Sequence, residues 1–152
     1  MDIFKSIDQY SLNIALIGRN GFRLSYEQLV DQTERLGCFA EPRSLVFLVC
    51  DDSVECVVVY LSMIRRGVVI ALLNNGVRPT MLRSLMGSYS PEYILLPASR
   101  SNELSNCRNV GCYNRYAFFK TEYAHDSRLD DQLCLLLATS GTTGSPKFVR
   151  LS

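Results

Sequence analysis

The chain has 152 residues, of which 47% are hydrophobic and 20% are charged, and its formal net charge is +1. This profile is typical of one globular domain and excludes a disordered chain. The small net charge argues against a nucleic-acid partner, and the longest apolar stretch, VECVVVYLSMI, is too short to span a membrane. The opening residues, MDIFKSIDQYSLNIALIG, carry scattered charges and do not have the pattern of a signal peptide.

The first predicted elements are a hairpin and a helix. The segment NIALIGRNGFRLS has the pattern of a β-hairpin with Asn20 and Gly21 in the turn. The next segment, SYEQLVDQTERLG, places its apolar side chains on one helical face. Ser25 and Gln28 have the spacing of a capping box, and Gly37 is a suitable stop.

Continuous apolar segments then alternate with amphipathic helices. Strands are predicted in SLVFLVC, VVIALL and EYILL, and helices in DDSVECVVVYLSMIRRG and RPTMLRSLMGSYSP. The apolar stripe of the first of these helices consists of Val54, Val57, Val58, Leu61 and Ile64. The alternation predicts an α/β fold, with a mostly parallel sheet flanked by helices and the hairpin at the N-terminus.

Beyond Pro97 the pattern becomes irregular. Residues 97–115 are polar and give no clear prediction, whereas YAFF and LCLLLA are predicted as further strands, the second of them buried. The segment between these two strands reads as a surface connection, so His125 is interpreted as a solvated residue and not a catalytic one.

Six cysteines are present: Cys38, Cys50, Cys56, Cys107, Cys112 and Cys134. The sequence has no CxxC pair and a single histidine, which argues against a metal site. Several of the cysteines lie in apolar segments, where a free thiol behaves as a small hydrophobic group. We therefore predict reduced, buried thiols, no bound metal and a cytoplasmic location.

The segment LLLATSGTTGSPKFVRLS runs from a predicted buried strand into a loop suited to phosphate groups. Glycines let backbone N–H groups converge on an anion, hydroxyl side chains add donors, and a lysine adds positive charge. The loop is not a Walker A motif, because Pro146 stands where the second glycine belongs and Phe148 where the hydroxyl belongs. Since KFVRLS alternates like a strand, the loop is predicted to join two strands as a hairpin, beyond the carboxyl ends of the sheet.

Residues Thr139 to Lys147 fit the pattern T-S-G-T-T-G-x-P-K at every fixed position. This segment resembles the phosphate-binding signature of the adenylate-forming enzymes, which include acyl- and aryl-CoA synthetases, peptide-synthetase adenylation domains and firefly luciferase. Upstream, RLSYEQL and VECVVVYLSMIRRGVVIALLNNG are similar to further segments of that family. Phe148 departs from the pattern, since the family usually has glycine there, and residues 71–75 lack the usual proline.

The resemblance implies a ligase in which a carboxylic acid attacks the α-phosphate of ATP, with Mg²⁺, to form an acyl-adenylate and pyrophosphate. A thiol, such as CoA or the phosphopantetheine of a carrier protein, then takes the acyl group. The implied catalytic residue is Lys147, which would offset the phosphate charge. The implied nucleotide-binding residues are Thr139, Ser140, Gly141, Thr142, Thr143 and Gly144.

The resemblance also implies that residues 1–152 are the N-terminal α/β subdomain of a longer AMP-binding domain, truncated just after the phosphate loop and inactive alone. One alternative remains a stand-alone, non-catalytic module that binds nucleotide phosphates or a partner. A more remote alternative is a receiver-like signalling domain, because Asp51 and Asp52 follow a buried strand. The later strands offer no phospho-accepting aspartate, so a helix N-cap with acids favoured by the helix dipole accounts better for this pair.

Overall fold

The computed structural model describes residues 10–124, 129–139 and 147–151, and only the backbone of Thr139 and Lys147. The described residues form a seven-stranded sheet and a separate two-stranded hairpin. The strands are β1 Ile14–Ile17, β2 Arg23–Ser25, β3 Leu45–Cys50, β4 Val69–Asn74, β5 Tyr93–Pro97, β6 Arg108–Tyr113, β7 Tyr116–Lys120, β8 Leu135–Thr139 and β9 Lys147–Leu151. The helices are α1 Tyr26–Leu36, α2 Val54–Arg66 and α3 Pro79–Tyr89, with 3₁₀ helices at Gly37–Phe39 and Ala98–Leu104.

The large sheet has the strand order β6-β7-β5-β3-β4-β8-β9. Its four central strands, β5, β3, β4 and β8, are parallel, which confirms the predicted fold class. The pairs β5–β7, β6–β7 and β8–β9 are antiparallel, so each edge of the sheet ends in a hairpin. The predicted N-terminal hairpin is also confirmed, with β1 and β2 antiparallel and Gly21 at φ 78° in the turn.

Both faces of the sheet are covered at its central strands β5, β3 and β4, as their continuous apolar segments require. Along β3, Phe47 and Val49 face the side covered by α3, whereas Val46 and Leu48 face the side covered by α2. Helix α1 packs on the outer side of α2. The parallel strands therefore form the centre of the core. Their carboxyl ends and their amino ends form two opposite edges of the sheet, where the connecting segments can form binding sites.

Helix α1 begins and ends where the sequence predicts. The Ser25 Oγ accepts the Gln28 N–H at 3.2 Å, and the Ser25 N–H donates to Gln28 Oε1 at 3.0 Å, which completes the capping box. Gly37 has a right-handed φ of −77°, so the turn does not require glycine for its conformation. It requires space instead, because a Cβ there would lie 3.1 Å from the backbone oxygen of Ser62 in α2.

The predicted apolar stripe of α2 is partly wrong. Val57 is 38% exposed. The buried residues of the helix are Val54, Cys56, Val58, Val59, Ser62 and Met63. The buried face is wider than one stripe because α2 lies between the sheet and α1.

Residues 97–115, which gave no prediction, form the 3₁₀ helix Ala98–Leu104 and strand β6. Among the described strands, β6 pairs only with β7, so none of its residues is fully buried and it lacks an apolar pattern. The two strands are joined at Asn114, whose φ of 47° is the left-handed conformation that asparagine tolerates in tight turns.

All six cysteines are free thiols. The prediction that they are buried is wrong for Cys38, Cys112 and Cys134, which are exposed, and correct for Cys56. No group of three or more His, Cys, Asp or Glu residues in the described part of the chain is placed to hold a metal ion. Among the described helices, none has the length and apolar character needed to cross a bilayer.

Candidate functional site

The predicted phosphate-binding segment connects β8 to β9. These strands pair antiparallel, from Leu135 opposite Leu151 to Thr139 opposite Lys147, which confirms the predicted hairpin. The backbones of the first and last residues of the signature are therefore neighbours at the open end of the strand pair. The other predicted binding residues, Ser140, Gly141, Thr142, Thr143 and Gly144, lie outside the described residues.

This hairpin opens at the carboxyl edge of the parallel strands. Strand β8 runs parallel to β4, with Leu72 beside Leu137, so that both strands end at this edge. Strand β4 in turn lies beside β3, with Asn74 next to Cys50. Ligands of open α/β sheets bind beyond the carboxyl ends of such strands. The position of the segment therefore agrees with a ligand-binding role.

Strand β8 is less buried than predicted. Of its residues, Leu136 is 6% exposed, whereas Leu135 and Leu137 are half-buried. The difference arises because β8 lies next to the edge strand β9 and is not covered on both faces. The start of the strand is held by Arg43, whose guanidinium donates to the Leu133 carbonyl at 2.8 Å and also to the Asp130 carbonyl.

Phe148, the residue that departs from the family pattern, attaches β9 to the core. Its ring lies 4.7 Å from the ring of Tyr89 in α3, in an edge-to-face arrangement, and 5.8 Å from the ring of Phe47 in β3. Such aromatic pairs add about 0.5–1.5 kcal/mol beyond the area they bury. The residue next to Lys147 is thereby fixed on the α3 side of the sheet.

The connection that follows β4, beside the hairpin, is held by Arg100. Its guanidinium donates to the carbonyls of Asn75 at 2.6 Å and Val77 at 2.8 Å, and to both carboxylate oxygens of Glu103 at 2.7 Å. The hydrogen bonds that Arg100 donates to the Glu103 carboxylate raise the pKa of Arg100 above its ordinary value. Arg100 could not be identified from the sequence, because its partners in the β4–α3 connection lie more than twenty residues away along the chain.

The connection that follows β3 is held by a buried hydroxyl. Tyr116 Oη lies 3.0 Å from both the Val49 carbonyl and Asp51 Oδ1, and it accepts the Asp51 N–H at 3.1 Å. Asp51 Oδ1 also accepts the N–H of Ser53, at 3.1 Å, and Ser53 is the N-cap of α2. Asp51 is thus part of a helix cap, as the sequence analysis preferred, and Asp52 pairs with Arg19 on the surface.

Two thiols border this cap. A hydrogen bond from Cys50, supported by one from Tyr116, lowers the pKa of the buried Cys56 thiol to about 7. The same contact raises the pKa of Cys50, and burial raises that of Tyr116. Cys56 is in the first turn of α2, and its side chain is part of the core on the α2 side of the sheet.

Comparison with known families gives one match. The sequence profile of the AMP-binding enzyme family matches residues 3–152. No curated protein matches the sequence.

Several solved structures share the fold. ATP-bound MatB from Rhodopseudomonas palustris is 22% identical, with a TM-score of 0.73, over 93% of this chain and 32% of that chain. The O-succinylbenzoate coenzyme A synthetase MenE from Bacillus subtilis, in complex with AMP, is 19% identical, with a TM-score of 0.71, over 96% of this chain and 40% of that chain.

A third similar structure is the N-terminal subdomain of NpsA from Klebsiella oxytoca in complex with 3-hydroxybenzoyl-AMSN. It is 22% identical, with a TM-score of 0.67, over 99% of this chain and 40% of that chain. The chain therefore spans 32% to 40% of the length of these three structures.

Proposed function

Because the chain belongs to the AMP-binding enzyme family, we propose that it supplies the N-terminal subdomain and phosphate-binding hairpin of an acyl-adenylate-forming ligase. The ligase would activate a carboxylic acid with ATP and pass the acyl group to a thiol such as CoA or a carrier-protein phosphopantetheine. The observation that supports this most is the signature from Thr139 to Lys147, at the hairpin on the carboxyl edge of the sheet.

In the proposed reaction, a carboxylate oxygen attacks the α-phosphate, and the bond to the β-phosphate breaks to release pyrophosphate. The leaving group carries a high negative charge, so its stabilisation depends on donors that are already oriented. Ser140 to Gly144 would supply backbone N–H groups and hydroxyls to the β- and γ-phosphates. Thr139 and Lys147, whose backbones pair at the base of the loop, would act from its two ends.

Mg²⁺ would neutralise part of the triphosphate charge when it is bound. The acids that follow β3 are already engaged, Asp51 with Ser53 and Tyr116, and Asp52 with Arg19. Within the described residues there is no group of acids placed as a metal cage. The ion would therefore depend on the phosphate oxygens and on groups outside the described residues.

The first prediction concerns Lys147. In the full-length enzyme, Lys147→Ala should lower carboxylate-dependent ATP–pyrophosphate exchange by about 10²-fold or more, the cost of one lost electrostatic contact in the transition state. Binding of the carboxylic acid should change little. Exchange measured with a panel of carboxylic acids, and acid binding measured by calorimetry, would test this.

A matched control is Arg150→Ala, which removes the same charge from an exposed position on β9 and should leave exchange unchanged. Gly141→Val and Gly144→Val should impair exchange at least as much as Lys147→Ala, because a branched side chain blocks close backbone approach to a phosphate. Wild-type exchange in all three loop variants would contradict the phosphate-binding role.

The same exchange assay tests whether the 152-residue chain is active by itself. The 152-residue chain alone should show no exchange, because the proposal places the adenine, ribose and acyl sites in a longer protein. Robust exchange by this chain would overturn that part of the proposal. Nucleotide binding by the chain, with no exchange by any longer product of its gene, would favour the non-catalytic module. Offering CoA and a carrier protein in turn identifies the thiol.

A further inference from the structure

A groove lies at the amino edge of the parallel strands, opposite the edge that carries the hairpin. Its volume is about 430 Å³, and we call it the amino-edge groove. It is lined by Phe39, Tyr93, Arg108, Asn109, Val110 and Lys120. Tyr93 begins β5, Lys120 ends the antiparallel strand β7, and Arg108 begins β6, so the three lie side by side across the sheet. None of these residues has a role in the proposed ligase chemistry.

Two cations in this groove are held close together by the strand register. Arg108 and Lys120 are directly opposite each other in the antiparallel β6–β7 pair, so their side chains share one face of the sheet. Both are exposed, and neither has an ion-pair partner within the described part of the chain. Like charges directly opposite each other destabilise a strand pair. An anion placed between them would remove that repulsion.

The floor of the groove is aromatic and well packed. Tyr93 is only 3% exposed, and Lys120 Nζ lies 5.6 Å from the centre of its ring. Phe39 meets Tyr93 edge-to-face at 5.5 Å and stacks on Phe118 at 5.0 Å. The groove therefore combines two cations that have no ion pair within the described residues with a rigid apolar surface, and a complementary ligand carries both a carboxylate and an apolar group.

We propose that the amino-edge groove docks an acidic segment of a partner protein. One carboxylate lies between Arg108 and Lys120, and a neighbouring apolar side chain rests on Phe39 and Tyr93. The charge complementarity carries this assignment. An open groove on an edge strand suits a segment that passes across it, whereas a small molecule needs a site that encloses most of its surface.

The segment binds through side chains and not by adding a strand to β6. The β6–β7 register shifts between Asn109 and Gly111, and Asn109 Oδ1 accepts the Gly111 N–H at 3.1 Å. This irregularity occupies a backbone donor that an added strand would need. A competing explanation is that the two cations only protect an exposed edge strand from pairing with another copy of the chain. The two explanations predict different results for the same variants.

The test uses the purified protein and a fluorescent peptide, Glu-Phe-Asp-Phe-Glu, with Gln-Phe-Asn-Phe-Gln as the neutral control. Fluorescence anisotropy is measured for the wild type, Arg108→Gln and Lys120→Gln. A third variant, Arg83→Gln, removes one charge from an exposed position on α3 and serves as the matched control. Because both groove cations are exposed, the variants should fold, and their melting temperatures should be equal to or above that of the wild type.

The acidic peptide should bind the wild type and the Arg83→Gln variant equally. Binding should be at least about tenfold weaker for each groove variant and for the neutral peptide, and it should weaken in high salt. The proposal is overturned if the wild type does not bind the acidic peptide at concentrations up to about 1 mM. It is also overturned if Arg83→Gln weakens binding as much as the groove variants do, or if the groove variants bind normally and instead self-associate more than the wild type in gel filtration.

Discussion

Tyr116 has no exposed surface, yet its hydroxyl joins the end of β3 to the start of α2. It accepts the Asp51 N–H and lies within hydrogen-bond distance of Val49 and Asp51 acceptors. Through Asp51 it also sets the position of Ser53, which caps α2. A single side chain on β7 therefore fixes a connection at the carboxyl edge of the sheet.

Replacing this residue tests the energetic value of the hydroxyl. Tyr116→Phe keeps the ring but removes the hydroxyl that partners the Asp51 N–H and the Val49 carbonyl, so it should lower the free energy of unfolding by about 1–3 kcal/mol. Urea denaturation followed by circular dichroism measures this. Tyr60→Phe is the control, because no hydrogen bond of its hydroxyl is seen within the described residues, and it should change stability by less than about 0.5 kcal/mol.

The stability difference between the wild type and Tyr116→Phe should depend on pH in the alkaline range. Burial raises the pKa of Tyr116 above its ordinary value of 10.0, so the phenol stays protonated in the folded state when the unfolded chain begins to ionise. Its contribution to stability is therefore complete below pH 10.0 and decreases as the pH rises further. The difference between wild type and Tyr116→Phe should narrow in that range, and a constant difference would argue against a buried, protonated phenol.

The distance between partners explains which residues the sequence could identify. The Ser25–Gln28 capping box and the Asn20–Gly21 turn depend on neighbours within three residues, and both were predicted correctly. Tyr116 and Asp51 are separated by 65 positions, and only the strand order of the sheet brings them together. No local pattern contains that information.

At the scale of elements, the β8–β9 hairpin joins the sheet through β8, which pairs with β4. Strand β9 is an edge strand, and its residues Val149 and Leu151 are 47% and 44% exposed. Phe148 is its link to the core, through Tyr89 and Phe47. A phenylalanine at the position where the family usually has glycine therefore stabilises the base of the phosphate-binding hairpin.

Replacing Phe148 with glycine, the residue usual in the family, tests whether this side chain holds β9 to the core. Phe148→Gly removes both ring contacts and adds the backbone entropy of glycine within a strand, so it should lower the free energy of unfolding by about 2–4 kcal/mol. Val149→Ala, at the exposed neighbouring position, should cost less than about 1 kcal/mol. Thermal unfolding of the two variants measures the difference, and equal effects would show that Phe148 has no special part in holding β9.

The elements that were predicted correctly are those whose apolar residues are explained by burial in the core. The continuous apolar segments of β3, β4 and β5 became central parallel strands. Strand β6 was missed because an edge strand carries exposed polar residues, so its pattern does not differ from that of a loop. The prediction of the buried face of α2 was incomplete, because the sequence does not reveal that α1 covers the outer side of this helix.

At the scale of the whole molecule, several exposed apolar side chains lie on the N-terminal hairpin or just before it. Leu12 is 84% exposed, Ile17 is 64% exposed, and both Ile14 and Phe22 exceed 40%. Single exposed apolar residues are ordinary, but a concentration of them in one short segment is the pattern expected where another part of a protein packs. The chain spans only 32% to 40% of the similar structures, and in the proposed full-length enzyme other parts of the protein would cover this surface.

The 152-residue chain alone should therefore bind the dye ANS and self-associate in analytical ultracentrifugation. Replacing Leu12 and Ile17 together with serine should reduce both effects, because it removes the most exposed apolar side chain of the hairpin and that of the segment just before it. In the full-length enzyme the same double substitution should instead lower the melting temperature, since covered apolar side chains contribute about 1.5–3 kcal/mol each. Arg23→Ser, an exposed change on the same hairpin, should have neither effect. A chain that is monomeric and silent towards ANS, together with a full-length enzyme indifferent to the double substitution, would show that the hairpin surface has no partner within the protein.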